Sequence, residues 1–213
     1  MGPPVLSVPE DVAHRVRAWI ETMRRLILVP VIHTSADLGS AAESVRARYE
    51  KQFGAAVWQQ REWAVGRLWG SIRKKVEDLR LDYRTVRIYQ DGLPVCGQEL
   101  QIVRELAGAG SLNHQLVLDL MQRGAILVGT EDPQLLIREY SMHRGRPAAA
   151  DAGGDPPSFR PDEAASLLEA RDRYIAQRIA GTLQEGETGL VFLGALHRLD
   201  ALRHFGIEVE TLA

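Results

Sequence analysis

The chain has 213 residues, of which 45% are hydrophobic and 25% are charged, as is typical of an ordinary globular domain. Its 26 basic and 28 acidic residues give a formal net charge of −2, so neither a nucleic-acid platform nor an anionic membrane surface is expected as a partner. One cysteine excludes an internal disulfide, and the longest apolar run is too short to cross a bilayer, so we expect a cytoplasmic protein.

The first part of the chain predicts a helix, a strand and a long helical region. Apolar residues recur at helical spacing over 9–25, and the apolar run over 26–32 is typical of a buried parallel strand. Pro30 argues against a central place in the sheet, because proline donates no ladder hydrogen bond. Over 41–80, apolar residues recur every three or four positions and predict helix, which Gly54 breaks or kinks.

The rest of the chain alternates further strands with helices. The predicted strands lie within 84–94, 125–129, 189–194 and 207–212. The predicted helices lie at 98–110, 111–124, 130–140 and 161–183. This alternation predicts an α/β fold with a mainly parallel sheet of four or five strands and helices on both faces, in a single domain over 1–213. The Pro- and Gly-rich stretch at 143–160 predicts a flexible loop within it, able to close over a site.

Polar side chains follow the predicted strands at the edge where open parallel sheets bind ligands. His33 follows the first strand, residues 89–91 the second, residues 130–132 with Glu131 the third, and His197 the fourth. Imidazole and carboxylate groups bind divalent zinc, manganese or iron, and they also serve as general acids and bases. The alternative is that each polar residue only marks the end of a buried strand.

Two further charged residues belong to the candidate site. Arg171 lies on the apolar stripe of the helix over 161–183, and an inward-facing guanidinium needs an anionic partner. Either Arg171 extends to solvent at the margin of the stripe or pairs with a structural carboxylate, or it reaches the strand-end cluster and binds an anionic ligand. Glu99, at the start of the helix over 98–110, is a candidate site carboxylate or a first-turn residue favoured by the helix dipole.

The run "RDRYIAQRIAGTL" followed by "GLVFLGALH" resembles the C-terminal half of the TraB/TIKI/ChaN/erythromycin-esterase-like superfamily. In that superfamily, a helix that begins with Arg-Asp or Arg-Asn precedes a strand that ends in Gly-x-x-His. Arg171, Asp172, Gly194 and His197 match this pattern, and the glycine permits a tight turn or a close approach of a ligand.

The N-terminal histidine motif of the superfamily is matched in part. "PVIH" supplies His33, with Pro30 where the superfamily has glycine. The acidic residue of the superfamily is matched by either Glu99 or Glu131, and the choice stays open. The resemblance implies a site for a divalent metal ion (Zn, Mn or Fe) or for haem.

The first hypothesis is a metal-dependent hydrolase of a small-molecule or peptide substrate. His33 and His197 bind the metal or act as base and acid, Glu131 or Glu99 completes the set, and Arg171 stabilises developing negative charge. Asp172 and Glu99 are predicted to contribute to binding the cofactor. The second hypothesis is a non-catalytic protein that binds haem, iron or a small anion. The third is an interaction protein that forms a homodimer through the helical region at 41–80.

Overall fold

Five strands form one sheet in the computed structural model, which describes residues 23–32, 34, 36–37, 42–144 and 161–212. The strands are β1 Arg24–Val31, β2 Val86–Gln90, β3 Ile126–Val128, β4 Thr188–Gly194 and β5 Ile207–Thr211. Their order in the sheet is β3-β2-β4-β1-β5, and every neighbouring pair is parallel. The predicted α/β fold with a parallel sheet is confirmed.

Helices pack on both faces of this sheet. They are α1 Ala42–Phe53, α2 Ala55–Asp78, α3 Glu99–Gly108, α4 Leu112–Gln122, α5 Pro133–Arg144 and α6 Pro161–Thr182. Successive residues of β4 face opposite sides: Phe192 packs in a core with α2 and α4, and Val191 packs in a second core with α6. No helix within these described ranges has the length and apolar composition needed to cross a bilayer. The cytoplasmic location stays a prediction.

The interior place of β1 corrects the expectation drawn from Pro30. β1 lies between β4 and β5, but its pairing with β5 ends where Leu28 lies opposite Thr211. The Leu28 carbonyl accepts a hydrogen bond from Leu212 N, so the backbone polar groups of Leu28 face β5. Two residues later the same side of β1 carries the Pro30 nitrogen, beyond the end of β5. The missing N–H therefore costs no ladder hydrogen bond, and proline is tolerated in an interior strand.

Two predicted boundaries were wrong. The helix expected over 9–25 runs too far, because Arg24 and Arg25 already belong to β1, where Arg25 forms an ion pair with Glu210 of β5. Backbone pairing with β5 begins at Arg24 and pairing with β4 begins at Arg25, so the strand starts before the apolar run. Residues 9–22 lie outside the described part of the chain. The loop expected over 143–160 begins too early, since α5 continues to Arg144, and residues 145–160 lie outside the described part.

The helical region at 41–80 is divided as expected at Gly54, whose φ of 91° separates α1 from α2. The periodic apolar face of α2 is buried, with Val65, Trp69, Ile72 and Val76 in the core. The helical spacing of the tryptophans over 41–80 predicts that they are buried, but Trp63 is 65% exposed. Use of this region as a homodimer surface stays a prediction.

Candidate functional site

The carboxyl ends of β2, β3 and β4 meet at one edge of the sheet and fix the backbone of the candidate site. After β3, the amides of Thr130 and Glu131 both donate to the Leu93 carbonyl at 3.0 Å. After β4, Gly194 N donates to the Asp91 carboxylate at 2.9 Å. These hydrogen bonds hold the segments after three strands against one another, so Asp91 and Glu131 lie side by side.

Arg171 of α6 forms the centre of a buried ionic cluster at this edge. Its Nε and Nη2 donate to the two oxygens of Glu131 at 2.6 and 2.7 Å, a bidentate arrangement that fits the guanidinium. Nη2 also donates to Asp91 Oδ1 at 2.9 Å, and Nη1 donates to Glu139 Oε1 of α5 at 2.7 Å. The apolar stripe of α6 therefore carries the arginine into the strand-end cluster, where carboxylates surround it.

Both charges of the central pair are deeply buried. Arg171 is 5% exposed and Glu131 is 1% exposed. Burial raises the pKa of the Glu131 carboxyl, and the hydrogen bonds and positive charge of the Arg171 guanidinium oppose that rise. Burial disfavours the charged guanidinium, but Glu131 and its acidic neighbours raise the pKa of Arg171 above its ordinary value. Because Gly92 N donates to Glu131 at 2.7 Å besides the two donors of Arg171, the geometry is that of an ionised carboxylate.

His197 is held next to this cluster by an aspartate on α6. Its amide donates to the Gly194 carbonyl at 3.1 Å, which closes a turn directly after β4. Nδ1 lies 2.6 Å from Asp172 Oδ1, and Arg198 N donates to the other oxygen of Asp172 at 3.0 Å. Nε2 lies 3.4 Å from Asp91 Oδ1. Two carboxylates thus flank the ring, one at each nitrogen.

These carboxylates control the protonation of His197. Burial alone lowers the pKa of the imidazole, but the hydrogen bonds with Asp172 and Asp91 outweigh burial and raise the pKa to about 9, from an ordinary 6.5. The metal-free ring therefore carries a positive charge at neutral pH.

Gly194 permits the close approach of Asp91, and its replacement is expected to disturb the site. A Cβ at this position would lie 3.1 Å from Asp91 Oδ2. We expect Gly194→Ala to lower the free energy of unfolding by about 1–2 kcal/mol, because the carboxylate must shift. Gly70→Ala is the matched control: this helical position is exposed and has no atom within 4 Å of the added Cβ, so stability should rise by about 0.5–1 kcal/mol. Urea denaturation measures both, and a Gly194→Ala variant as stable as wild type would contradict the packing described.

A cleft of about 650 Å³ opens next to the cluster. Its walls include Val31 and Ile32 at the end of β1, together with Asp91, Arg171 and His197. Among the described residues, one group of three candidate metal ligands is compact enough to share an ion: Asp91, Glu131 and His197 each offer one atom within 4.8 Å of the others. The edge of the sheet therefore joins a binding-sized cleft to a carboxylate–imidazole cluster.

The chain matches no family model, no curated protein and no solved structure. The chemistry of the cleft is therefore inferred from its geometry.

The structure brings together four of the residues singled out in the sequence: Glu131, Arg171, Asp172 and His197. Glu99 has a different environment. Its Oε1 accepts hydrogen bonds from Cys96 N at 2.9 Å and Gly97 N at 3.0 Å and packs against Gly129. Burial works against its ionisation, but these amide donors lower the pKa of the Glu99 carboxyl. Of the two glutamates left open by the sequence, Glu131 is the partner of Arg171.

His33, the other histidine of the predicted metal set, lies outside the described residues. Its preceding neighbours Val31 and Ile32 line the cleft. Its contribution to a metal site stays a prediction.

Two carboxylates of the cluster had no role assigned to them from the sequence. Asp91 was placed at the sheet edge with residues 89–91 but was not counted among the site residues, because Asp91-Gly92 is also a turn signal. Glu139 lies on α5, where its spacing suggests only a helix surface. The available signal was indirect: an arginine on an apolar stripe requires anions, and Glu131 alone leaves donors of its guanidinium unused.

Proposed function

We propose that this chain is a metal-dependent hydrolase, with a divalent ion held by Asp91 and His197 at the carboxyl edge of the sheet. The observation that carries the proposal is the hydrogen bond between Asp172 and His197 Nδ1. It leaves Nε2 facing Asp91 Oδ1 across 3.4 Å, on the wall of the cleft. A carboxylate behind the ring is the usual support of a metal-binding histidine, because it fixes the ring orientation and increases its basicity.

The charge of the cluster supports a cationic ligand. Four carboxylates surround one guanidinium and one imidazole, so negative charge exceeds positive charge by two when His197 is protonated. The carboxylates are Asp91, Glu131, Glu139 and Asp172. A divalent cation that replaces the imidazole proton would balance this excess more fully. The resemblance to the TraB/TIKI/ChaN/erythromycin-esterase-like superfamily supports the same proposal.

The proposed roles differ within the cluster. Asp91 and His197 would hold a zinc, manganese or iron ion, since both line the cleft and offer oxygen and nitrogen donors. Glu131 lies within reach of the same point, but its two oxygens already accept three N–H groups. Glu131 would therefore act through Arg171, which donates to Asp91 Oδ1 and fixes the direction of that carboxylate.

The bound metal would supply a Lewis acid for the attack of water on an ester, amide or phosphoester bond. Arg171, through its hydrogen bond to Asp91 Oδ1, would hold that carboxylate in place while a substrate enters. The cleft volume of about 650 Å³ suits a small molecule or a short peptide segment.

Metal titration tests the proposal. We expect isothermal titration calorimetry with Zn²⁺ or Mn²⁺ to give one site per chain, and metal to raise the melting temperature. His197→Ala and Asp91→Asn should each weaken binding by a factor of 10–100 or more. The control is His204→Ala, since His204 is exposed on the 3₁₀ helix Asp200–Phe205. Wild-type protein that binds no metal, or a His197→Ala variant that binds it as tightly, would overturn the proposal.

Two further readouts address the reaction and the alternative ligand. Metal-loaded protein should release p-nitrophenol from p-nitrophenyl acetate or p-nitrophenyl phosphate, and His197→Ala should not. A saturable shift of the Soret band on addition of haem to wild type, absent in His197→Ala, without hydrolysis of either ester, would favour the non-catalytic haem-binding alternative.

A further inference from the structure

A second cleft of about 410 Å³, here called the side cleft, adjoins the first. Leu168 of α6 and Leu196 in the turn after β4 line both clefts, so these two side chains form the boundary between them. His197 lines the first cleft and its hydrogen-bond partner Asp172 lines the side cleft. A molecule bound at His197 can therefore extend across the two leucines into the side cleft.

Leu196 is presented to solvent at this boundary. It is 78% exposed, more than any other large hydrophobic side chain in the described ranges. The residues that follow it are fixed: His197 N donates to the Gly194 carbonyl at 3.1 Å, and Arg198 N donates to Asp172 Oδ2 at 3.0 Å. Single exposed leucines are common on protein surfaces, but this one stands on a tied-down turn directly before a site histidine.

The floor of the side cleft is apolar. Ala165 and Leu168 of α6 lie on it, together with Ala201 of the 3₁₀ helix that follows the turn. Ala165, Leu168 and Asp172 follow one another at spacings of three and four, so they share one face of α6. The two alanines are small and leave the space between Leu168 and Leu196 open.

The polar groups of the side cleft are already engaged. Glu169 and Arg173 pair with each other at 2.9 Å, with side chains 74% and 65% exposed, so they form a solvated rim. Both oxygens of Asp172 have partners, the His197 ring and Arg198 N. Within the described ranges, the buried side-chain polar atoms without a partner belong to residues that do not line the side cleft: Tyr83, Gln90 and Asn113. An apolar ligand group therefore fits this cleft better than a polar one.

We propose that the side cleft is a substrate subsite, in which Leu196 and Leu168 bind an aliphatic or aromatic group next to the bond that is cleaved. The inference rests on the proposed hydrolase function and defines its substrate class: esters or amides with an apolar substituent. Binding removes from water the leucine surface that the fold leaves exposed, and this favours an apolar group over a polar one.

Hexanamide is the direct probe, used on full-length, metal-free protein. We expect saturable chemical-shift changes with a millimolar dissociation constant, as suits so small a ligand. Intermolecular NOEs should join the alkyl chain of hexanamide to the methyls of Leu196 and Leu168. Acetamide carries the same polar group without the chain, so at equal concentration it should produce neither effect.

Leu196→Ala removes the exposed apolar surface and should weaken hexanamide binding about tenfold. The matched control is Ile137→Ala, since Ile137 is an exposed aliphatic residue of α5 that lines neither cleft, and it should leave binding unchanged. Because Leu196 is exposed, we expect its variant to fold, and the wild-type NOEs do not depend on it.

Three results would overturn the subsite: no hexanamide NOE in wild type, equal effects of the two amides, or Leu196→Ala binding as tightly as wild type. NOEs to the Leu196 methyls in the ligand-free protein, from residues 145–160 or from a second copy of the chain, would show that protein fills the side cleft and would overturn it too.

This experiment and the metal titration fail independently. Hexanamide binding is measured without metal or turnover, so loss of the metal proposal leaves the subsite measurable. If the metal-loaded protein does cleave esters, the ratio of kcat/KM for p-nitrophenyl hexanoate to that for p-nitrophenyl acetate should fall about tenfold in Leu196→Ala. A protein that binds metal and cleaves both esters but gives no hexanamide NOE would retain the hydrolase and lose the apolar subsite.

Discussion

Replacing Arg171 with methionine is expected to lower the free energy of unfolding by about 3–5 kcal/mol. The substitution keeps much of the side-chain volume but removes a charge that pairs with Glu131, Asp91 and Glu139. Glu131, 1% exposed, would be left as a buried carboxylate with Gly92 N as its remaining donor from this network. Urea denaturation at pH 7 measures the change.

The same helix supplies the control for this variant. Arg173 pairs with Glu169 at 2.9 Å, but their side chains are 65% and 74% exposed, so Arg173→Met should cost less than about 0.5 kcal/mol. The double variant Arg171→Met with Glu131→Leu should recover part of the lost stability, because it removes both buried charges. A loss below about 1 kcal/mol for Arg171→Met would contradict the central position of Arg171.

Asp172→Asn is expected to lower the pKa of His197 from about 9 towards its ordinary 6.5. Burial already favours the neutral ring, and the lost carboxylate is the leading group that opposes burial. We expect the pKa of His197 to fall by about 1 or more but not the whole way, since the contact with Asp91 remains. Proton NMR of the ring in metal-free buffer measures it. Glu169→Gln, an exposed position on α6, is the control and should leave the titration unchanged.

The stability of the variant should depend on pH in a defined direction. His197 has a raised pKa in the folded state, so its contribution is fully present below pH 6.5 and is lost as pH rises through 9. Below pH 6.5 the free energy of unfolding of wild type should exceed that of Asp172→Asn by about 1–3 kcal/mol. The difference should shrink towards pH 9–10. A difference that grows with pH would contradict the assignment of His197 as the protonated partner.

The convergence of His197, Arg171 and a strand-end carboxylate was predictable because two patterns in the sequence bear on it. Short apolar runs between helices predict parallel strands, and their polar ends share one edge. The 3.6-residue period of α6 puts Arg171 on the side that faces the sheet. Both signals are local in the sequence, and topology alone brings them together.

The identity of the acidic partners was not predictable, because it depends on long-range packing. Glu131 follows β3 directly and Glu99 begins the helix after β2. The choice between them is made by where α6 crosses the sheet. In the sequence, Asp91 and Gly92 indicate a turn, and Gly92 does adopt the positive φ, 72°, that such a turn requires. The direction of the aspartate side chain is set by Gly194 N and Arg171, more than 75 residues away in sequence.

Anomalous diffraction from crystals soaked in Mn²⁺ tests the central claim most directly. The proposal predicts one strong anomalous peak within bonding distance of His197 Nε2 and Asp91 Oδ1, with Asp172 still hydrogen bonded to Nδ1. A peak elsewhere, or none at this position while Arg171 keeps its contacts with Glu131 and Asp91, would contradict a metal site at this edge of the sheet.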